Sequence, residues 1–205
     1  MKKILDLHYR YGIKGIILNA FSKFMDKLHI KIEFKALYVY DINSNDLAYV
    51  SGYRRLVYQD FIEKSKEDSV WLTPQKLETL RISFACSDFF AVGFFVDGIM
   101  ASYGCASVSR LGDFAELNRE DAYLFDDYTF PQYRGQGFHK KLITARLNEL
   151  KSMGKIRALS IIADYNKASY TSYLNYGFSR LESFIQYGIG RGTTNNTLKY
   201  GKIGI

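Results

Sequence analysis

The chain contains few of the residues that build disulfide frameworks or metal centres. Cysteine occurs only at Cys86 and Cys105, each inside an apolar, strand-like segment. We interpret both as small buried hydrophobic residues in a reducing compartment rather than as a disulfide pair. The three histidines, His8, His29 and His139, are scattered and match no zinc-ligand spacing, so we expect no metal site.

The sequence also lacks an apolar run long enough to span a membrane, and its first residues lack the apolar run and cleavage site of a signal peptide. Internal repeats and low-complexity blocks are absent. With 205 residues, 47% hydrophobic and 16% aromatic, the composition indicates a folded domain with a full core rather than a disordered binder. We therefore expect a cytoplasmic protein.

Positive charge is concentrated at the start of a chain whose formal net charge is +7, because residues 1–35 carry eight lysines and arginines against three acidic residues. Apolar residues recur there at helical spacing. They are Ile13, Ile17, Phe21, Phe24 and Leu28. One interpretation is a surface helix that packs this stripe on the domain. The other is a basic amphipathic helix at the inner face of an anionic membrane. In either case residues 1–35 form a basic amphipathic N-terminal helical segment.

The rest of the pattern alternates strands and helices, as is typical of a mixed α/β domain. Strands are expected at Ala36–Tyr40, on both sides of a turn at Asp97-Gly98, at Ala122–Phe130 and Ala158–Ala163, and as a pair of segments within Phe178–Tyr187. Helices are expected within 50–66, from Thr73-Pro74 to about Ala85, at Phe138–Met153, and at Lys167–Tyr176 before Gly177. Gly188–Ile205 has the composition of a tail.

The most informative segment runs from Pro131 to His139, with the sequence Pro-Gln-Tyr-Arg-Gly-Gln-Gly-Phe-His, and it joins an expected strand to an expected helix. A strand that turns through two glycines into a helix leaves several backbone N–H groups pointing outward. With the helix dipole, they form an anion site suited to a phosphate or pyrophosphate. The segment is not a Walker loop, because Phe-His follows Gly137, nor a dinucleotide loop, because Lys140 replaces the third small residue.

Gln132-Tyr-Arg-Gly-Gln-Gly137 resembles the Gln/Arg-x-x-Gly-x-Gly/Ala signature of the GNAT superfamily, the acyl-CoA-dependent N-acyltransferases. About 30 residues later, as one βαβ unit requires, Asn166 to Phe178 resembles the family's Asn…Ser/Ala…Tyr…Gly-Phe helix. The resemblance covers about Phe89 to Tyr187. It implies a GNAT-like central mixed β-sheet flanked by helices, with splayed strands around the CoA site. We assign residues 36–190 to this domain and 191–205 to a C-terminal tail.

The resemblance implies acetyl-CoA, or another acyl-CoA, as the co-substrate. Backbone N–H groups from Arg134 to His139 would hold its pyrophosphate, and the Arg134 side chain would add a charge-assisted contact. The backbone at Thr129 would pair with the pantetheine arm, and Asn166 would contact that arm or the turn beneath it. The implied cofactor contacts are thus Thr129, Arg134, Gly135, Gln136, Gly137, Phe138, His139 and Asn166. His139 stands where glycine is usual, and its side chain is expected to face solvent.

The resemblance also implies direct attack of an amine on the acyl carbon in a ternary complex. Tyr173 matches the family tyrosine that protonates the departing thiolate, and a core-facing aromatic is the alternative. Asp126 is the candidate base, although many family members carry a glutamate where this chain has Phe125. In a regular strand, Asp126 and Asp127 point to opposite faces. The substitutes for the base are Asp127, Glu116 and Glu120, and a structural role for each is the competing interpretation.

We therefore expect an N-acetyltransferase that acts on a primary amine of a small molecule, with amino sugars as the first candidates. Two other classes remain. One is a non-catalytic acyl-CoA-binding module, and the other is a membrane-surface or nucleic-acid binder that uses the basic N-terminus. Because the sequence has no recognisable nucleic-acid recognition element, we expect no nucleic-acid partner. The oligomeric state stays open, and a homodimer is compatible with the sequence.

Overall fold

The protein is described by a computed structural model over residues 30–112, 115–189 and 196–202, together with residues 13, 15–17, 20–22, 24 and 25. The strands in these ranges are β1 (Ile30–Asp41), β2 (Tyr53–Arg55), β3 (Phe89–Val96), β4 (Ile99–Ser107), β5 (Arg110–Leu111), β6 (Ala115–Glu116), β7 (Asp121–Thr129), β8 (Arg157–Ala163), β9 (Ser179–Ile189) and β10 (Asn196–Lys202). The helices after residue 30 are α1 (Tyr58–Ser65), α2 (Pro74–Phe84), α3 (Phe138–Ser152) and α4 (Lys167–Tyr176). The mixed α/β class expected from the sequence is confirmed.

The chain divides into two compact units, residues 41–159 and residues 1–40 with 160–205. The division of the chain into segments 1–35, 36–190 and 191–205 stays a prediction. None of the helices in the described part of the chain has the length and apolar character needed to cross a lipid bilayer.

The unit of residues 41–159 contains a mixed sheet in which β2, β3, β4 and β7 pair antiparallel in that order. The β3–β4 hairpin turns at Asp97 and Gly98, with φ of +49° and +78°, as predicted. The start of β8 runs parallel to β7, and the pairing ends at Tyr123–Leu159 in the described residues. Most of β7 therefore lies beyond this short parallel contact.

Helices cover both faces of this sheet, because neighbouring residues of a strand point to opposite sides. In β4, the Tyr103 ring contacts Phe61 of α1, whereas the next residue, Gly104, faces Arg146 of α3. The α1–α2 side holds a continuous core, and its buried members are Leu56, Phe61, Leu72, Leu80, Ala91, Met100, Tyr103, Cys105, Tyr128 and Phe130. Helix α3 packs on β3, β4 and β7 from the other side.

Local sequence signals fix several element ends in both units. Thr73 caps α2 by accepting a hydrogen bond from the Lys76 N–H, and Pro74 is the first helical residue, as predicted. Helix α4 ends at Gly177, whose φ of +116° suits glycine. The predicted helix within 50–66 is wrong in its first part. Tyr53–Arg55 pairs with the edge of β3, and α1 begins only at Tyr58.

In the other unit, β9 pairs antiparallel with both β1 and β10. The sequence places a strand only at Ala36–Tyr40, but β1 begins at Ile30, because Ile30 to Lys35 alternates apolar and charged residues at the period of a strand. Phe178–Tyr187 holds one long strand instead of two segments. Residues 196–202 of the predicted tail join the sheet as β10, and the rest of the 191–205 segment lies outside the described residues.

The described residues between 13 and 25 are helical, as expected for this part of the N-terminal segment. The stripe residues among them are exposed: Ile13, Ile17, Phe21 and Phe24. This exposure contradicts the interpretation in which the stripe packs on the domain. Leu28, the last stripe residue, lies outside the described residues.

Candidate active site

A glycine turn connects the end of β7 to α3. After Thr129, a 3-10 turn at Pro131–Tyr133 leads to Gly135 and Gly137, which both have φ of +76°. That left-handed backbone is strained for residues with a side chain, so the turn favours glycine at both positions. A Cβ added to either glycine would meet nothing within 4 Å. The space beside the turn is therefore open to a ligand.

Backbone donors line this open side. Gly137 is the N-cap of α3 and supplies no side-chain cap. Within the described ranges, the N–H groups of Gly135, Gln136, Gly137 and Phe138 meet no hydrogen-bond acceptor. These donors stand at the positive end of a 15-residue helix, which favours an anion. Their chemistry fits a pyrophosphate.

The side chains next to the turn are already engaged. Arg134 folds back along β7, where its Nε donates to the Thr129 carbonyl at 3.2 Å and its guanidinium lies 5.7 Å from the centre of the Tyr128 ring. The Thr129 hydroxyl is buried, and no hydrogen-bond partner is present for it among the described residues. A ligand that pairs with the backbone at Thr129 would thus meet Arg134 there.

A β-bulge interrupts β7 where the sequence suggests a base. Tyr103 pairs with Tyr128 and Cys105 with Phe125, so the single residue Gly104 stands opposite both Asp126 and Asp127. Asp126 takes a φ of +56°, which is rare for a residue other than glycine. The regular strand assumed from the sequence is therefore wrong. The two carboxylates still reach different helices, Asp126 towards α2 and Asp127 towards α3.

Asp127 belongs to a buried ion pair. Its Oδ1 lies 2.5 Å from Arg146 Nη1, and its Oδ2 lies 3.4 Å from His139 Nε2. Arg146 is fully buried and also donates to the carbonyls of Cys105 at 2.9 Å and Leu142 at 3.2 Å. Burial by itself would raise the pKa of Asp127, but Arg146 and then His139 outweigh it and hold that pKa well below the ordinary value. The Asp127 carboxylate therefore stays ionised and is a poor proton acceptor.

Asp126 lies on the α2 side, partly accessible. Its Oδ2 lies 2.5 Å from Lys76 Nζ and 4.0 Å from Cys105 Sγ, and its side chain is 15% exposed. Burial and then the Asp126 charge raise the pKa of the Cys105 thiol and of the Tyr103 phenol well above their ordinary values. Both groups therefore stay protonated, and Asp126 is the carboxylate beside them.

Aromatic rings lie on the same side of β7 as this carboxylate. Trp71 stacks on Tyr128 with ring centres 4.0 Å apart and planes 7° apart. The Trp71 Nε1–H donates to the Tyr103 hydroxyl at 2.9 Å, which fixes the indole in place. The α2 side of β7 thus combines a flat aromatic stack with an Asp–Lys pair. Within the described ranges, His, Cys, Asp and Glu side chains form no group of three that could hold a metal ion.

No family model matches the chain. No curated protein matches it in sequence. Solved structures nevertheless share its fold. A protein from Novosphingobium aromaticivorans assigned to the GNAT acetyltransferase family superimposes with a TM-score of 0.61 at 16% identity, over 80% of this chain and 69% of that one. A GNAT-family acetyltransferase from Colwellia psychrerythraea superimposes with a TM-score of 0.59 at 15% identity, over 78% and 57% of the two chains.

A third structure is the aminoglycoside N-acetyltransferase AAC(6')-Iy, solved with the bisubstrate analogue CoA-S-monomethyl-acetylneamine. It gives a TM-score of 0.51 at 16% identity, over 62% of this chain and 89% of that one. This chain has the GNAT fold. At these identities the likeness establishes the fold alone.

Within the GNAT fold of this chain, most predicted site residues gather between the end of β7 and the first turn of α3. Phe138 contributes its N–H while its ring packs on Phe94. His139 differs from the expectation of a solvent-facing side chain, because it turns back towards Asp127 and is only 25% exposed. Of the other acids, Glu116 and Glu120 are exposed.

Two predicted residues lie on α4, in the other unit. Asn166 is the N-cap of α4 and accepts a hydrogen bond from the Ser169 N–H at 3.3 Å, which is a structural role. The Tyr173 side chain is buried, and its ring packs edge-on against Phe178 at 4.7 Å. The roles of Asn166 in cofactor binding and of Tyr173 in catalysis stay predictions.

The predicted site residues did not include Lys76, Arg146 and Gly104. Arg146 had a usable signal, because it lies four residues from Leu142 and Leu150 on the apolar face of α3. A glycine inside a strand, such as Gly104, indicates a bulge or a close approach. A Cβ on Gly104 would lie 2.7 Å from Asp127 Oδ1 and 2.8 Å from Arg146 Cζ. Lys76 gave no local signal, because its partner is 50 residues away in the sequence.

Proposed function

We propose that this protein is an acyl-CoA-dependent N-acetyltransferase that acts on a primary amine of a small molecule. The observation that carries the proposal is the open glycine turn at the end of β7. It combines φ of +76° at Gly135 and Gly137 with free backbone donors at the N-terminus of α3. The GNAT fold supports the same proposal, since it is shared with solved acetyltransferases.

In this proposal, the N–H groups from Gly135 to Phe138 hold the pyrophosphate of the acyl-CoA. Arg134 turns from the Thr129 carbonyl towards the phosphates, which frees the backbone of Thr129 for the pantetheine arm. His139 keeps its contact with Asp127 and contributes its backbone. When bound, the acyl-CoA supplies an activated acyl group as a thioester.

The Asp126 carboxylate is the proposed base that takes the proton from the attacking amine. Its neighbour Asp127 is excluded, because Arg146 holds it as a buried anion. In the free protein the Lys76 ammonium forms an ion pair with the Asp126 carboxylate, so the ammonium of an acceptor would displace it. Tyr173 is the proposed proton donor to the departing thiolate, and this assignment rests on the sequence resemblance.

We infer that the acceptor is flat or ring-shaped and carries a cationic amine, with amino sugars first among the candidates. The half-buried Trp71 indole, which stacks on the buried Tyr128 ring, supports this class, because a sugar ring packs on an aromatic face while its ammonium reaches a carboxylate.

The proposal is tested by calorimetric titration with acetyl-CoA of the wild type, Gly137→Glu and Gly98→Glu. Gly98 is the matched control, because its φ of +78° is within a few degrees of that of Gly137 and its surroundings are equally open, but it lies in the β3–β4 turn. We expect a dissociation constant on the order of micromolar for the wild type and Gly98→Glu, and no binding by Gly137→Glu.

Thiol release in the presence of amino sugars then tests turnover. Absence of acetyl-CoA binding by the wild type would refute the proposal, as would equal binding by the two glutamate variants. Binding at the turn without turnover of any amine would favour the non-catalytic acyl-CoA-binding module.

A further inference from the structure

An exposed apolar stripe marks the N-terminal helical segment. The exposed fractions are 70% for Ile13, 64% for Ile17, 48% for Phe21 and 59% for Phe24. Steps of four, four and three residues place these side chains on one helical face. Other exposed apolar side chains, such as those of Tyr49 and Val70, occur singly along the chain. A continuous apolar stripe, unlike scattered exposed residues, indicates an interaction surface.

The helical segment uses its other face to contact its own unit. Gly15 is buried, and the Ser22 hydroxyl donates to the Ile32 carbonyl of β1 at 3.2 Å. At 100° per residue, Gly15 and Ser22 share a face that points about 150° away from the centre of the stripe. The contact with β1 therefore turns the apolar stripe outward.

The charge of this region identifies the kind of partner. Residues 1–35 carry eight lysines and arginines against three acidic residues, and Lys14, Lys23 and Lys27 alternate with the stripe residues in the sequence. Two copies of so basic a segment repel each other, which opposes a dimer through this face. Nucleic acid would match the charge but would leave four apolar side chains facing phosphates.

We propose that the stripe of Ile13, Ile17, Phe21 and Phe24 docks the protein on an anionic lipid membrane. The helical segment would lie in the plane of the interface, with its apolar side chains at the boundary between headgroups and acyl chains and with basic residues among the anionic headgroups. An anionic bilayer is the partner that satisfies both features, because it offers apolar depth beneath negative charge.

The proposal is tested by sedimentation of the full chain with phosphatidylcholine vesicles, with and without phosphatidylglycerol. We expect binding to the anionic vesicles, weakening as salt is added, and affinity for the neutral vesicles lower by at least about tenfold. Each lysine near an anionic surface contributes a factor of about five, so a few suffice for this ratio.

A stripe variant with Ile17→Ser, Phe21→Ser and Phe24→Ser keeps every charge while removing apolar surface. We expect it to bind anionic vesicles at least about tenfold more weakly than the wild type. Its matched control is Tyr49→Ser with Val70→Ser, which removes exposed apolar side chains from the other unit and is expected to bind as the wild type does. All these side chains are exposed, so both variants are expected to unfold at the wild-type temperature.

The proposal is overturned if the wild type ignores both kinds of vesicle, binds both equally, or binds no better than the stripe variant. A stripe-dependent doubling of mass in light scattering without lipid would assign the surface to a second copy of the chain instead. None of these readouts uses acyl-CoA, so their outcome is independent of the proposed activity.

Discussion

Replacing Arg146 by methionine tests the buried ion pair that holds β7 against α3. The change keeps a long apolar stem but removes the guanidinium, which leaves Asp127 as a buried carboxylate without its main partner. It also deprives the carbonyls of Cys105 and Leu142 of a donor. Loss of one partner of a buried pair costs about 3–5 kcal/mol, so we expect the free energy of unfolding to fall by that amount at pH 7.

The pH dependence of this loss identifies its cause. In the wild type the folded-state pKa of Asp127 lies below that of an exposed aspartate, about 3.9. The stabilisation by the pair is therefore complete above that pH and is lost as the pH falls through the folded value. In Arg146→Met, burial is opposed only by His139, so the pKa of Asp127 rises above its wild-type value and the carboxyl takes up a proton at a higher pH than in the wild type. We expect the difference in the free energy of unfolding between the variant and the wild type to shrink as the pH falls below 7.

Urea denaturation at several pH values measures both effects. Arg81→Met is the matched control, because it breaks an arginine–glutamate pair of 2.7 Å that is exposed on α2 and is expected to leave stability unchanged. The double variant with Arg146→Met and Asp127→Asn should lose less free energy of unfolding than the sum of the losses of the two single variants, by at least about 2 kcal/mol. A decrease of less than about 1 kcal/mol in the free energy of unfolding of Arg146→Met, or a decrease that does not depend on pH, would refute the assignment of Asp127 as an ionised, buried partner of Arg146.

Three further outcomes are expected. Asp126→Asn should lower kcat by about 10²–10⁴-fold while the acetyl-CoA dissociation constant stays within about twofold, and unchanged turnover would remove Asp126 as the base. Tyr173→Phe should lower kcat on a similar scale with wild-type acetyl-CoA binding, and unchanged kcat would leave Tyr173 a core aromatic. In the native protein a maleimide should react only with the exposed thiol of Cys86. The Cys105 thiol should react only after denaturation, because it is buried and burial raises its pKa. Rapid reaction of both thiols in the native protein would contradict this.

Local chemistry made much of the fold predictable from the sequence. Thr73-Pro74, Asp97-Gly98 and Gly177 each carry a backbone preference that acts within a few residues, so the ends of α2, the β3–β4 hairpin and the end of α4 were expected where they are found. Strand β2 was missed because Tyr53–Arg55 is only three residues long and is defined by its pairing with β3.

In the candidate site, too, the features that are local in sequence were predictable and those that join distant residues were not. The glycine turn is a local pattern, and the sequence predicted its strand–turn–helix context. The Lys76–Asp126 and Arg146–Asp127 pairs, and the bulge opposite Gly104, join residues that are far apart in the sequence. Only the packed sheet and helices bring them together, so periodicity and composition could not reveal them.

An amide NMR titration of the full chain with acetyl-CoA tests directly whether the glycine turn binds acyl-CoA. We expect the largest chemical-shift changes at the N–H groups of Gly135, Gln136, Gly137 and Phe138, because these donors would receive the pyrophosphate. The amide resonances of Gly98 and of other turn glycines should not shift. Absence of shifts at the four donors, or shifts confined to residues 13–25, would contradict the assignment of the glycine turn as the acyl-CoA site.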